Sequence, residues 1–314
     1  DIEDYKLNIN KYLHEFKEDY DILLWSFLNI DIFNKVIKNN YEQVVFLEKF
    51  DYKLLKKLNF NLKNNFNNDN KIYITYIIAC YNSENFIEDT LDSLQNQTNK
   101  NFEVIIINDF STDNIDNKIK VIINNYSFKI NYLKNKENYG NAKTKSIGIG
   151  NCNTEYFSII NSTDVIDKDT NKIILENISK FPEVGFFYSN FYYCDNNLKI
   201  IKEGYCREIS EGKTNLEENV ISHLGIFKKK DYYMTLGYIE NNYFRHCADD
   251  KDIYFKLEEK CKIKFIDEFL YFYRGSLTKK KGSDECEKLF ELAKERALIR
   301  RKNNLIIENY LNKK

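Results

Sequence analysis

The chain has 314 residues, enough for one large domain or two smaller ones. Hydrophobic residues make up 43% and charged residues 30%, which excludes a disordered chain. Lys and Arg number 47 against 48 Asp and Glu, a formal net charge of -1 that speaks against a globally basic nucleic-acid binder. A single proline, Pro182, and ten glycines exclude collagen-like and Pro-rich architectures and make each glycine informative.

In chain order, residues 1–60 carry helical periodicity: Leu23, Leu24, Phe27 and Leu28 share one face, and Val44, Val45 and Leu47 continue it. The polar run Asn61 to Asn70 reads as a linker. Lys71 to Ala79 is an apolar, β-rich run and predicts a buried strand. Ser83 to Gln97 predicts a helix with Phe86, Ile87, Leu91 and Leu94 on one side and Ser83 as N-cap. Phe102 to Ile107 is a second strand and Tyr156 to Ile160 a further one. Asp284 to Leu311 predicts a helix with a basic face. Alternating strands and helices imply right-handed crossovers and a mostly parallel sheet.

No stretch of 18 apolar residues occurs, and no signal peptide is visible. The chain starts at Asp1 without Met, as a piece of a longer protein would. Seven cysteines without CxxC spacing argue against a disulfide framework or a zinc site, and fit a reducing cytosol. The expected location is cytoplasmic or peripheral to a membrane. Segments 1–60 and 284–311 are the candidates for contact with a membrane surface or a protein.

In an open α/β sheet, ligands bind beyond the carboxyl ends of the strands. Three places qualify: Cys80-Tyr81-Asn82, Asn108 to Asp113, and Asn161 to Asp164. There an aromatic ring can face a base and a carboxylate can accept an imide N–H. Neither GxGxxG after the first strand nor GxxxxGK[ST] is present, which disfavours a dinucleotide site or a P-loop.

The same three places carry a family resemblance. Tyr76–Asn82 (YIIACYN), Leu91–Gln97 (LDSLQNQ) and Phe102–Asp113 (FEVIIINDFSTD) resemble the opening of a family 2 glycosyltransferase. Asn138–Gly148 (NYGNAKTKSIG), Tyr156–Asp164 (YFSIINSTD), Ala248–Leu257 (ADDKDIYFKL) and Phe265–Arg274 (FIDEFLYFYR) resemble its later segments, in the same order. The resemblance implies a GT-A fold, a mostly parallel sheet flanked by helices. It divides the chain into an N-terminal helical extension and linker (1–70), a transferase domain (71–275, with a nucleotide-sugar half to 180 and an acceptor half from 181), and a loop and C-terminal helix (276–314). It implies inverting transfer from a nucleotide diphosphate sugar, most naturally a UDP-sugar, to a carbohydrate or protein hydroxyl, with no nucleic-acid partner. A divalent cation, Mn²⁺ or Mg²⁺, would stabilise the leaving diphosphate.

Carried onto this sequence, the resemblance puts Tyr81 against the uracil, Asp109 on the base edge and Lys145 before the diphosphate. Arg274 would reach the diphosphate from the loop Ser276 to Gly282. Asp113 would cap the next helix, and His223 and His246 read as structural. Asn108 and Phe110 stand where the family has Asp and Gly. Asn161, Thr163 and Asp164 stand where it has three carboxylates, which leaves Asp164 as the metal ligand. Asp249 and Asp250 match an acidic pair, with Asp250 as candidate general base. The thinned carboxylate turn leaves a second reading open: a catalytically impaired binding or scaffold subunit.

Overall fold

A computed structural model of the chain describes residues 74–235, 237–238, 248–275 and 283–311. The predicted N-terminal helices and linker, the loop Ser276 to Gly282, and His246 lie outside the described residues. The chain divides into two compact units, 70–297 and a second made of 1–69 with 298–314. The described residues belong to the first, apart from the final turns of the last helix.

The order of elements is β1 (Ile74–Cys80), α1 (Ile87–Gln95), β2 (Phe102–Asn108), α2 (Ile115–Ile122), β3 (Ile130–Lys134), α3 (Asn141–Asn151), β4 (Tyr156–Ile159), β5 (Val165–Ile166) and α4 (Thr170–Lys180). There follow β6 (Val184–Cys194), β7 (Ile200–Glu203), α5 (Asn215–Glu218), β8 (Ile226–Lys228), α6 (Lys229–Met234), α7 (Asp249–Glu258), β9 (Lys262–Arg274) and α8 (Ser283–Leu311). The described strands form one sheet, in the order β3-β2-β1-β4-β8-β6-β9-β5, with β7 on β6.

The strands β3, β2, β1 and β4 are parallel, as the βαβ pattern predicts. All seven residues of β2 are buried, and six of the seven in β1. Parallel strands covered on both faces need such continuous apolar runs, and Ile77, Ile78 and Ile105 to Ile107 supply them. The second half of the sheet is mixed. β8 runs antiparallel to β4 and β6, while β6 and β9 are parallel neighbours. A three-residue strand such as β8 carries too little pattern to be read from sequence.

Packing of α3 onto β1 and β2 depends on Gly148. A Cβ there would lie 2.5 Å from Ile77 Cγ2 and 2.8 Å from Ile107 Cδ1, so only glycine permits this approach.

Two local expectations need correction. Helix α1 starts at Ile87, with Phe86 at its cap, so Ser83 is not the N-cap; its carbonyl instead closes a turn by accepting from Phe86 N–H and Ile87 N–H. The cysteines are not all free thiols: Cys80, Cys152, Cys194, Cys206 and Cys261 are free, but Cys286 on α8 is disulfide-bonded. Asp113 does act at a helix start, accepting from Ile115 N–H at 3.3 Å, and it also accepts from Glu84 N–H at 2.9 Å.

The register sets the site. Cys80 pairs with Asn108, and Ile77 with Ile159, so the chain leaves β1, β2 and β4 toward one edge of the sheet. The chain runs outward from β1 to β3 on one side and returns to β4 on the other. Between β1 and β4 lies the topological switch point, where open α/β sheets open a crevice.

Candidate active site

At the end of β1 the Tyr81 ring is 51% exposed, and past β2 Phe110 is 47% exposed. Phe110 holds φ at 58°, and Asn82 at 51°, so both turns sit in the left-handed region. Side-chain bonds stitch the two turns together. Asn82 Oδ1 accepts from Thr112 N–H at 2.8 Å, and Asn82 N–H donates to Ser111 Oγ at 3.1 Å.

Asp109 is buried between these turns and the start of α3. Its Oδ1 accepts from Asn135 Nδ2 and Tyr139 N–H, both at 2.8 Å, and its Oδ2 accepts from Gly140 N–H at 2.9 Å. The carboxylate therefore holds the 135–140 loop, where Gly140 takes φ 83° to begin the helix. One of the roughly four acceptor positions of the carboxylate remains, on Oδ2.

A cavity of about 430 Å³ lies where α3, β4, β6, β9 and the start of α7 converge. Asn141 and Lys145 reach it from α3, and Asn161 from the turn after β4. Asp249 and Asp250 reach it from α7. Most of the remaining wall is aromatic: Phe191 and Tyr193 on β6, Tyr271 and Tyr273 on β9, Tyr238, Tyr254, Phe227 and His223. Pairing of Phe191 with Tyr271 and of Tyr193 with Tyr273 puts these rings on one face of the sheet. Sequence reasoning missed this wall. Its signal was the two-residue spacing of aromatics in Phe191-x-Tyr193 and Tyr271-x-Tyr273, the period of a strand face.

The two adjacent aspartates are placed differently. Asp249 Oδ2 accepts from Lys145 Nζ at 2.7 Å, with both side chains below a tenth exposed. Asn141 Nδ2 adds contacts at 3.4 Å. Burial pushes the Asp249 carboxyl up, against the pull of Lys145. Lys145 thus reaches the cavity wall already paired, its ammonium over the Tyr238 ring at 5.2 Å from the centroid. Asp250 lines the cavity and makes no ion pair among the described residues. Ahead of both, Ala248 holds φ at 64°, a left-handed conformation that costs a non-glycine residue roughly 1–2 kcal/mol. Strain of this kind concentrates at functional sites.

His223 belongs to the cavity wall as well. Its ring stacks on Tyr271 and Tyr273, each with centroids 4.8 Å away, and Phe191 meets it edge-on at 4.9 Å. Desolvation pushes its pKa down to about 4, against the pull of Asp250, so the imidazole is neutral at pH 7. A base with a depressed folded pKa destabilises the native state where only the unfolded chain takes the proton. Stability should therefore be level above pH 6.5 and fall by about 1–2 kcal/mol between pH 6.5 and 4, after discounting for cavity water. Urea midpoints of the wild type and His223→Phe across this window check it: the difference between them should vary with pH below 6.5 and be constant above.

Arg274 does not face the cavity. Its guanidinium donates to Thr163 O at 2.8 Å and Asn196 O at 3.1 Å, pairs with Asp89 and covers the Phe86 ring. Only 3% of the side chain is exposed. These contacts tie the end of β9 to the 163–164 turn and to α1.

Asp164 is also turned inward. Its Oδ2 accepts from Tyr271 Oη at 2.7 Å and Asn161 Nδ2 at 2.8 Å. Its Oδ1 accepts from Arg274 N–H at 2.9 Å and Thr163 Oγ1 at 3.3 Å. Burial pushes this carboxyl up, and those donors oppose the shift. A divalent cation needs outward oxygens, and Asp164 offers none, so it does not fit the metal role predicted for it. Among the described residues no group of three or more His, Cys, Asp or Glu side chains could hold a metal ion. Nor is any described helix long and apolar enough to cross a membrane.

Comparison with known proteins gives concordant results. The poly-beta-1,6-N-acetyl-D-glucosamine synthase of Staphylococcus aureus (strain MSSA476) is 30% identical over 170 residues, covering 52% of this chain and 39% of the synthase. The chain thus spans well under half the length of that relative. An uncharacterized glycosyltransferase of Haemophilus influenzae is 24% identical over 172 residues, covering 52% of this chain and 55% of its own. Among solved structures, S. aureus TarS 1-349 in complex with UDP-GlcNAc superposes with a TM-score of 0.59 at 18% identity, covering 73% of this chain and 66% of that one. GalNAc-T7 with UDP, GalNAc and Mn²⁺ gives 0.56 at 15% identity, covering 73% and 48%. At these identities the structural likeness establishes the fold, the GT-A arrangement of a mixed sheet with flanking helices. The model of the family described as glycosyl transferase family 2 matches residues 75–233, just over half of the sequence, and the chain belongs to that family.

Proposed function

We propose that residues 74–275 form the catalytic domain of an inverting glycosyltransferase that moves a sugar from a UDP-sugar to a carbohydrate hydroxyl. The observation that carries this reading is the contrast between the two aspartates: Asp249 is paired with Lys145, while Asp250 meets the cavity without an ion-pair partner among the described residues.

Asp250 accepts the proton of the acceptor hydroxyl. The oxygen attacks the anomeric carbon from the face opposite the diphosphate, and the bond from that carbon to the diphosphate oxygen breaks, inverting the centre. The tyrosine hydroxyls do not compete as bases, because burial pushes the phenols of Tyr238, Tyr254 and Tyr271 further up. Lys145 keeps Asp249 in place beside Asp250 at the start of α7. Tyr81 stacks on the uracil, and the open position on Asp109 Oδ2 accepts its imide N–H.

Aromatic walls favour a sugar ring as acceptor, since C–H faces of a pyranose pack on rings while its hydroxyls meet Asn161 and Asp250. UDP-GlcNAc is the donor to try first, given the TarS complex and the glucosamine polymer named in the synthase.

Thermal-shift titration tests the reading: UDP and UDP-GlcNAc should raise the melting temperature in proportion to log concentration, and adenosine or guanosine diphosphates should not. A chain that responds to no nucleotide or nucleotide sugar is not a transferase domain. The loss of carboxylates at Asn161 and Thr163 supports a second reading, a donor-binding subunit without turnover. Nucleotide binding with no transfer or donor hydrolysis would favour it.

A further inference from the structure

We infer that the turn Asn161 to Asp164 takes no part in holding a divalent cation, and that donor binding by this chain is independent of added metal. The inference rests on the donor-binding reading above.

Asp164 has two oxygens with roughly four lone-pair positions. Four donors occupy them: the Tyr271 hydroxyl, the Asn161 amide, the Arg274 backbone N–H and the Thr163 hydroxyl. The side chain is completely buried. A ligand to Mn²⁺ or Mg²⁺ would have to give up at least one of these bonds and turn outward, leaving a buried donor unpaired at roughly 1–3 kcal/mol.

The neighbours reinforce this. Positions 161 and 163 carry an amide and a hydroxyl, and both spend a hydrogen on Asp164 instead of offering a carboxylate oxygen to a hard cation. Tyr271 Oη is fixed from two sides, donating to Asp164 and accepting from Asn161 N–H at 3.1 Å. Arg274 Nη1 closes the turn on Thr163 O. Where a cation would supply positive charge, the chain supplies four hydrogen-bond donors. Asp164 is the anchor of the turn, and any cation that accompanies the donor is held by the diphosphate itself.

Three measurements on the full chain test this. First, UDP is titrated calorimetrically in EDTA and in millimolar MnCl₂. The dissociation constants should agree within about twofold, and a tightening of about tenfold or more in Mn²⁺ overturns the inference. Second, the paramagnetic resonance signal of free Mn²⁺ should be undiminished by stoichiometric protein; stoichiometric loss of signal overturns it. Third, Asp164→Asn should lower the melting temperature by about 5 °C or more, because the new amide N–H₂ faces donors. A carboxylate kept for a cation would instead be relieved by this change, so an unaltered or raised melting temperature counts against the inference. If UDP binds in neither calorimetric arm, the donor-binding reading fails, and the resonance and melting experiments still decide the role of Asp164.

Discussion

Asp250→Asn should lower the transfer rate by about 10²–10⁴-fold, the range that a positioned general base contributes. The amide is nearly isosteric and cannot take the acceptor proton. Asp250 pairs with no cation among the described residues, so its charge can be removed without stranding a partner. UDP affinity should stay within about twofold of wild type, and the melting temperature should barely move. The readout is single-turnover transfer from UDP-GlcNAc to a short carbohydrate acceptor, with UDP binding measured on the same preparation. A variant that keeps more than about a tenth of the wild-type rate would remove Asp250 from the role of base.

The neighbouring residue should behave in the opposite way. Asp249→Ala is expected to cost about 3–5 kcal/mol of stability, because it leaves the Lys145 ammonium buried without its counter-charge. Lys145→Met should cost a similar amount from the other side. The double variant Lys145→Met/Asp249→Leu should recover much of the loss, since replacing both partners of a buried pair with apolar groups is often close to neutral. Urea denaturation of the two single variants and the double variant gives the coupling energy directly. Equal, additive losses would show that the pair is not coupled. One aspartate thus carries a rate effect and its neighbour a stability effect, one residue apart at the start of the same helix.

The local chemistry of the chain was legible in its sequence. Continuous apolar runs gave β1, β2 and β4 because strands buried on both faces cannot alternate. The last helix runs from Ser283 to Leu311, one residue from its expected start, because its run of helix-forming residues is long and unbroken by Gly or Pro. Ser83 misled as a cap because a serine before an apolar run also suits a turn.

The site is different, and the reason is sequence distance. Lys145 meets Asp249 across 104 residues, Tyr271 meets Asp164 across 107, and Arg274 closes on Asp164 and Thr163 across 110 and 111. No local pattern reports which carboxylate will be paired, buried or left open to a cavity. The sequence by itself determined which residue types stand where: a ring at Tyr81 and carboxylates at Asp109 and Asp164 just past strands, a cation at Lys145 on α3 and a carboxylate at Asp250 at the start of α7. Only the tertiary structure decided their duties. Pairing of β6 with β9 assembled the aromatic wall, the ion pair between α3 and the start of α7 committed Lys145 to Asp249, and the end of β9 turned Asp164 inward. Hydrogen-bond and charge pairing are settled by which groups the fold brings within about 3 Å, and that is a property of the packed chain alone.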